Sequence, residues 1–97
     1  MTRRTPSGFP ELQRVFSGYL HEDVLAEYGS PEAALRAYRD DAAAAEVRRF
    51  RSEAKRLLTQ SRSLDFDKAR ALFHQLGSRW IPPSREALIA LLTDAAS

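Results

Sequence analysis

The sequence predicts an all-α protein, a compact bundle of about five short helices without a sheet. Apolar residues recur at three- and four-residue steps along most of the chain, as in helices that bury one face. No segment alternates between apolar and polar residues with a period of two, and no Asn-Gly or Asp-Gly pair marks a hairpin turn. The length of 97 residues suits one compact domain, and the short connections predict that consecutive helices pack as antiparallel neighbours.

The first helix is predicted to begin at Phe9 and Pro10, since proline fits the first helical turn. Residues 1–8 have no periodic apolar pattern, so we expect a flexible tail there and a single helical domain over residues 9–97. Residues 21–29 are expected to form a short connection, which we define as the acidic segment. The core-facing side of the first helix carries Leu12, Val15, Phe16, Tyr19 and Leu20.

The second and third helices have separate start signals. Ser30 is a good cap for the second helix, and Pro31 fits its first turn. Asp40 and Asp41 are expected to cap the third helix, which spans about residues 42–60. The face of this helix predicted to lie on the core carries Ala43, Val47, Phe50, Ala54 and Leu57.

The last two helices flank a proline-containing stretch. Asp65 is expected to cap the fourth helix, and Gly77 to end it. Residues 80–83, Trp-Ile-Pro-Pro, are expected to be extended because proline disfavours helix in the residue before it. Ser84 then caps the fifth helix.

The composition argues against most kinds of catalytic site. Without cysteine the chain has no disulfide, thiolate metal site or thiol nucleophile. His21 is followed by Glu22 and Asp23, but the residue four positions on is Leu25, so a His-Glu-x-x-His metal site is missing. The four glycines are scattered and form no phosphate-binding loop. We therefore predict a protein that binds another protein, with no catalytic residue, metal or cofactor, and keep a small hydrolase as a distant alternative.

The chain shows no sign of export or membrane insertion. A secretory signal has an apolar stretch after its basic residues, and none follows the arginines of the opening Met1-Thr2-Arg3-Arg4. No apolar run approaches the roughly 20 residues that cross a bilayer. These observations predict a cytoplasmic protein with no membrane partner. We expect a monomer or a weak homodimer, although the sequence by itself does not fix the oligomeric state.

The charge is unevenly distributed along the chain. Residues 10–45 hold three basic and seven acidic side chains, a net charge of −4, and residues 46–97 hold ten basic and six acidic ones, a net charge of +4. The basic stripe, which shares one side of the third helix, consists of Arg48, Arg51, Lys55 and Arg62.

Two interpretations of the basic stripe stay open. It can be a solvated face, with the flanking Arg49 and Arg56 paired to Glu46 and Glu53 of the same helix. Alternatively, the protein is a small helical nucleic-acid-binding or regulatory protein that neutralises phosphates with this face. The second reading is less favoured, because the acidic half of the chain would repel the same phosphates.

The acidic segment suggests a surface for a basic protein partner. It holds Glu22, Asp23 and Glu27, and Tyr19 and Tyr28 lie at its edges. Carboxylates steer the encounter with a basic surface, and tyrosine rings supply contact area. The alternatives are an ordinary polar loop, or an Asp23 that caps a neighbouring helix.

Two stretches resemble immunity proteins of bacterial contact-dependent growth inhibition systems. The first is residues 9–23, with Gly-Tyr-Leu-His-Glu-Asp at 18–23, followed by Glu-Tyr-Gly at 27–29. The second is Leu-Gly at 76–77 with Trp-Ile-Pro-Pro at 80–83. Relatives often carry an aromatic residue after the aspartate, where this chain has Val24.

The resemblance implies a cytoplasmic protein that binds the C-terminal toxin domain, often a nuclease, delivered by neighbouring cells. On this reading an acidic inhibitor covers a basic nuclease surface. For Tyr19 and His21 a structural role is an equal alternative, since Tyr19 is in phase with the core face. The residues expected to bind the toxin are Tyr19, His21, Glu22, Asp23, Glu27 and Tyr28.

Overall fold

The computed structural model describes residues 8–97, which form six helices and no strand. The predicted all-α class is confirmed. The predicted tail falls on residues 1–7, outside the described residues, apart from Gly8. The helices are α1 (Pro10–Tyr19), α2 (Val24–Tyr28), α3 (Pro31–Asp41), α4 (Ala44–Arg62), α5 (Phe66–Gln75) and α6 (Arg85–Ala96).

Three predicted helix caps are confirmed. The Ser30 hydroxyl accepts the backbone N–H of Ala33 at 3.0 Å and starts α3. Asp65 accepts from Lys68 at 2.9 Å at the start of α5. The Ser84 hydroxyl accepts the backbone N–H of Ala87 at 3.1 Å at the start of α6. Each cap satisfies an N–H group that has no partner inside its helix.

One helix, α2, comes in addition to the five predicted. It lies within the acidic segment, which was predicted as a connection. Asp23 occupies its N-cap position, and the backbone N–H of Glu27 donates to the Asp23 carbonyl at 2.8 Å. Gly29, with a φ of +87°, ends it in the left-handed conformation that glycine adopts without strain. The prediction missed this single turn because five residues are too few for an apolar period.

The predicted start of α4 is wrong. Asp40 and Asp41 are the last residues of α3, and Ala43 occupies the N-cap position of α4. Glu46 supplies the missing partner, because its Oε1 accepts the N–H of Ala43 at 3.0 Å. The core face of α4 also begins later than predicted, at Phe50, since Ala43 is exposed and Val47 only half-buried.

The short connections predict that consecutive helices pack against each other. In the structure, most of the main helix contacts instead join helices that are not consecutive. The 19-residue α4 packs mainly against α6 and α1, and α3 packs against α1, α2 and α6. The length and apolar face of α4 make it the central support, and five buried apolar residues of α6 lie against the core. Among residues 8–97, no helix is both long and apolar enough to cross a bilayer.

A buried carboxylate joins α1 to α4. Glu53 of α4 is 5% exposed, and its Oε1 accepts the backbone N–H of Leu12 at 2.9 Å. Phe9, at the N-cap position of α1, has no side-chain acceptor, so Glu53 takes the place of a local cap. Burial raises the pKa of Glu53, an effect that hydrogen bonds from the backbone of Leu12 and Glu11 only partly oppose.

Glu11, the second buried glutamate, is held by three side chains. The Tyr38 hydroxyl donates to its Oε2 at 2.8 Å, Arg14 donates to the same oxygen, and Arg49 Nε lies 3.6 Å from Oε1. Burial by itself would raise the pKa of Glu11, but the hydrogen bonds from Tyr38 and Arg14 and the charges of both arginines lower it below its ordinary 4.5.

The ion pairs predicted within α4 are not formed among the described residues. Arg49 turns to Glu11 instead. Arg56 donates to the Gly8 carbonyl at 2.6 Å and lies over the Phe9 ring, 5.2 Å from its centroid. The reason is that α1 lies against α4, so these side chains meet partners across the helix interface rather than along the helix.

Glu53→Ala should lower the free energy of unfolding by roughly 2–3 kcal/mol, because it leaves buried N–H groups at the start of α1 without an acceptor. Glu53→Gln keeps a side-chain carbonyl there and should lose clearly less. Urea unfolding followed by circular dichroism measures both. Gln60→Ala, at an exposed site on the same helix, is the control. Equal losses for Ala and Gln at position 53 would contradict the capping role.

Glu11→Gln should lower the free energy of unfolding at neutral pH by about 1–3 kcal/mol. The folded pKa of Glu11 lies below the unfolded one, so its ionised form stabilises the protein above that unfolded value, 4.5. This contribution is lost as the pH falls through the folded pKa. Urea titrations across the acid range should therefore show the two proteins converging in stability as the pH falls. A deficit that stays constant, as expected for the exposed Glu86→Gln, would contradict this.

Candidate functional site

The end of α1 is tied to the α5–α6 loop (residues 76–84) by the carbonyl of Leu20. This carbonyl accepts the backbone N–H groups of Arg79, at 2.7 Å, and of Trp80, at 3.3 Å. Leu20 itself is fully buried. The acidic segment starts at the next residue, so its first turn lies beside the α5–α6 loop.

A glycine lets the two chain segments approach closely. Gly77 has a φ of +97°, and a Cβ placed on it would lie 2.1 Å from the Ser17 hydroxyl oxygen. A side chain there would force the Ser17 hydroxyl out of its hydrogen bond to the Gln13 carbonyl, and the conformation itself disfavours residues other than glycine. The residue predicted as a helix stop therefore also sets the distance between α1 and the loop.

A polar groove of about 870 Å³ lies between the acidic segment and the α5–α6 loop. Three of the six predicted toxin-binding residues line it, namely His21, Glu22 and Asp23. Its other lining residues are Gln13, Ser17, His74, Gln75, Gly77, Ser78 and Arg79.

His21 organises the acidic segment from within. Its Nδ1 accepts the backbone N–H of Asp23 at 3.1 Å, and its Nε2 lies 3.0 Å from Glu27 Oε1. One ring nitrogen contacts the backbone of the turn, and the other contacts a side chain of α2. His21 thus connects the turn before α2 to the helix itself, which is a structural role, while its half-buried ring stays open to the groove.

The two tyrosines stack between the core and the surface. The Tyr19 ring is 5.7 Å from that of the buried Tyr38 and 6.3 Å from that of Tyr28. Both Tyr19 and Tyr28 are half-buried and pack against the core. Partial burial, and next the charge of Glu27, raise the pKa of Tyr28, so its hydroxyl stays protonated at neutral pH. Neither ring lines the groove.

The carboxylates of the acidic segment face solvent. Glu22, Asp23 and Glu27 are all exposed, and within residues 8–97 none of them pairs with an arginine or lysine. Asp23 stands at the N-cap position of α2 without a side-chain capping bond. By contrast, the acidic side chains that do pair with arginines serve the scaffold, and these are Glu11, Glu46, Asp67 and Asp94.

The groove brings serine, histidine and carboxylate side chains together without forming a catalytic pair. Ser17 donates to the Gln13 carbonyl and Ser78 to the Trp80 carbonyl, each at 2.8 Å. Within the described part of the chain, no serine hydroxyl is hydrogen-bonded to a histidine, and no group of three His, Asp or Glu side chains could hold a metal ion.

Sequence reasoning did not find the other lining residues of this groove. Gln13 and Ser17 of α1 and Arg79 of the α5–α6 loop are unremarkable as residue types, and only the fold brings them beside the acidic segment. The one available signal was Gly77 itself, because glycine is the residue that allows two backbone segments to approach closely. Val24, which replaces the aromatic residue expected from relatives, is 2% exposed and belongs to the core.

Fold and site together define a small all-α protein whose most distinctive surface is a polar groove edged by exposed carboxylates. Residues 8–90 match the family model described as CdiI immunity protein. The chain therefore belongs to the CdiI immunity protein family, which confirms the resemblance to contact-dependent growth inhibition proteins. No curated protein and no solved structure matches the chain significantly.

Gly77→Ala should lower the free energy of unfolding by about 1–3 kcal/mol, because it adds a side chain at a positive φ and against Ser17. Gly18→Ala is the matched control, since nothing lies within 4 Å of a Cβ placed there. It should stabilise the protein by roughly 0.5–1 kcal/mol, the usual gain from alanine in a helix. Urea unfolding of both variants tests the contact, and a Gly77→Ala protein as stable as the wild type would refute it.

Proposed function

We propose that this protein binds the C-terminal toxin domain of its contact-dependent growth inhibition system in the cytoplasm and so protects the cell that produces it. It acts by occupying a surface of the toxin and needs no reaction of its own. The contact surface is formed by Tyr19, His21, Glu22, Asp23, Glu27 and Tyr28. The toxin is a nuclease whose basic surface the inhibitor covers.

The observation that carries this proposal is the exposure of three clustered carboxylates, none of which pairs with an arginine or lysine within residues 8–97. Glu22 and Asp23 form no ion pair among these residues, and the ion-pair partner of Glu27 is the His21 ring. A nuclease holds phosphates with lysine and arginine side chains, so an inhibitor with clustered carboxylates matches it in charge. Clustered charge also speeds the encounter.

The two tyrosine rings that flank the carboxylates support the same reading. Tyr19 and Tyr28 pack against one another in a tilted arrangement, and Tyr19 also packs edge-on against Tyr38 of the core. Their positions are fixed before any partner arrives, so binding them costs little conformational entropy. The Glu27 carboxylate is likewise positioned in advance, by its contact with His21 Nε2. The surface is thus preorganised around the exposed carboxylates at 22 and 23.

A second candidate function rests on the basic stripe. Arg48, Arg51, Lys55 and Arg62 are all exposed on α4, and among residues 8–97 none of them has an acidic partner. A nucleic-acid-binding protein would use such a face. Binding measurements on the two faces separate the candidates.

The charge-reversed variant Glu22→Lys/Asp23→Lys should bind the toxin domain at least about 30-fold more weakly, as expected when interfacial carboxylates meet a basic surface. The binding measurement uses the purified C-terminal domain of the cognate toxin. For the wild type, the association rate should fall as salt is added. In cells, the variant should no longer rescue growth when the toxin domain is expressed.

Arg48→Glu/Arg51→Glu is the matched control, because it reverses two exposed charges on α4. It should leave toxin affinity within about threefold of the wild type, as surface changes outside an interface usually do. Circular dichroism confirms that both variants fold. If the α4 variant loses protection while the variant at 22 and 23 keeps it, the nucleic-acid reading replaces this proposal.

A further inference from the structure

Two large apolar side chains are left in solvent by this fold. Ile81 is 68% exposed and Leu25 is 57% exposed, while the other large apolar side chains of residues 8–97 are buried or half-buried. Isolated exposed apolar residues are common on protein surfaces. Here, however, both belong to the segments joined at the carbonyl of Leu20.

Ile81 is held outward by a well-anchored loop. On one side, the Trp80 ring packs against the Phe73 ring, with 6.2 Å between the ring centroids. The Trp80 carbonyl also accepts a hydrogen bond of 2.8 Å from the Ser78 hydroxyl. On the other side, Pro82 is buried. A proline also restricts the residue before it to extended conformations. The exposure of Ile81 is therefore built into the loop.

The position of Ile81 relates it to the acidic segment. The Trp80 N–H donates to the Leu20 carbonyl, so the Cα atoms of Leu20 and Ile81 lie within about 11 Å of each other. Leu25 lies in the single turn of α2, two residues after the exposed Asp23. An apolar side chain next to unpaired carboxylates is the arrangement of a binding anchor with a charged rim.

We propose that the toxin-binding surface extends from the acidic segment onto the α5–α6 loop, where Ile81 is the apolar anchor that enters a non-polar recess of the basic toxin face, with Leu25 contacting the same partner. This inference rests on the proposed function, since the occupant is the toxin domain. Charge selects that occupant: Glu22 and Asp23, in the segment that follows Leu20 and so adjoins the loop carrying Ile81, favour a basic protein and repel an acidic one.

The experiment measures toxin-domain binding to the full chain carrying Ile81→Ser, Leu25→Ser or both. Ile81→Ser should weaken binding about tenfold or more, the effect of removing one buried aliphatic side chain from an interface. The loss should appear as faster dissociation. The salt dependence of association should stay that of the wild type, because no charge has changed.

Val47→Ser is the matched control, a half-buried aliphatic residue on α4 that lies outside the core cluster. It should keep wild-type affinity. If the double serine variant binds like the wild type while Glu22→Lys/Asp23→Lys does not, the extension is wrong and the proposed function stands. If the unaltered protein fails to bind the toxin domain, both are wrong. Ile81→Ser that abolishes self-association in sedimentation, with toxin affinity unchanged, would assign the residue to a contact between copies and overturn the inference.

Discussion

The hydrogen bond from the Leu12 backbone to the buried carboxylate of Glu53 is the constraint on which the rest of the structure depends. It attaches the start of α1 to the middle of α4, the helix against which α6 also packs. The direction of α1 then determines where the carbonyl of Leu20, the residue directly after the helix, meets the α5–α6 loop. A contact deep in the core thus positions the acidic segment at the other end of the same helix.

Much of the fold could be predicted from local chemistry. Ser30, Asp65 and Ser84 cap their helices as predicted, because a capping side chain acts within three residues of its own position. The start of α4 was mispredicted because its partner is the side chain of Glu46 rather than an aspartate before the helix. The order of packing was also missed, since it depends on which apolar faces match in three dimensions.

The candidate site was predictable only on one side. The sequence places three carboxylates within six positions, at Glu22, Asp23 and Glu27, and this density of charge predicts that they are exposed, as they are in the structure. The roles of His21 and Tyr19 could not be separated in sequence, because each has both a structural contact and an open face. The opposite wall of the groove is about 55 residues further along the chain. No periodic pattern links positions that far apart.

The separation between paired and unpaired carboxylates has a consequence for divergence. Glu11 and Asp94 are committed to arginines of the scaffold, whereas the side chains of Glu22 and Asp23 make no hydrogen bond within residues 8–97. Substitution at the two free positions therefore leaves the helices in place. On the proposed function, changes at these two sites alter the toxin-binding surface without requiring compensating changes in the core.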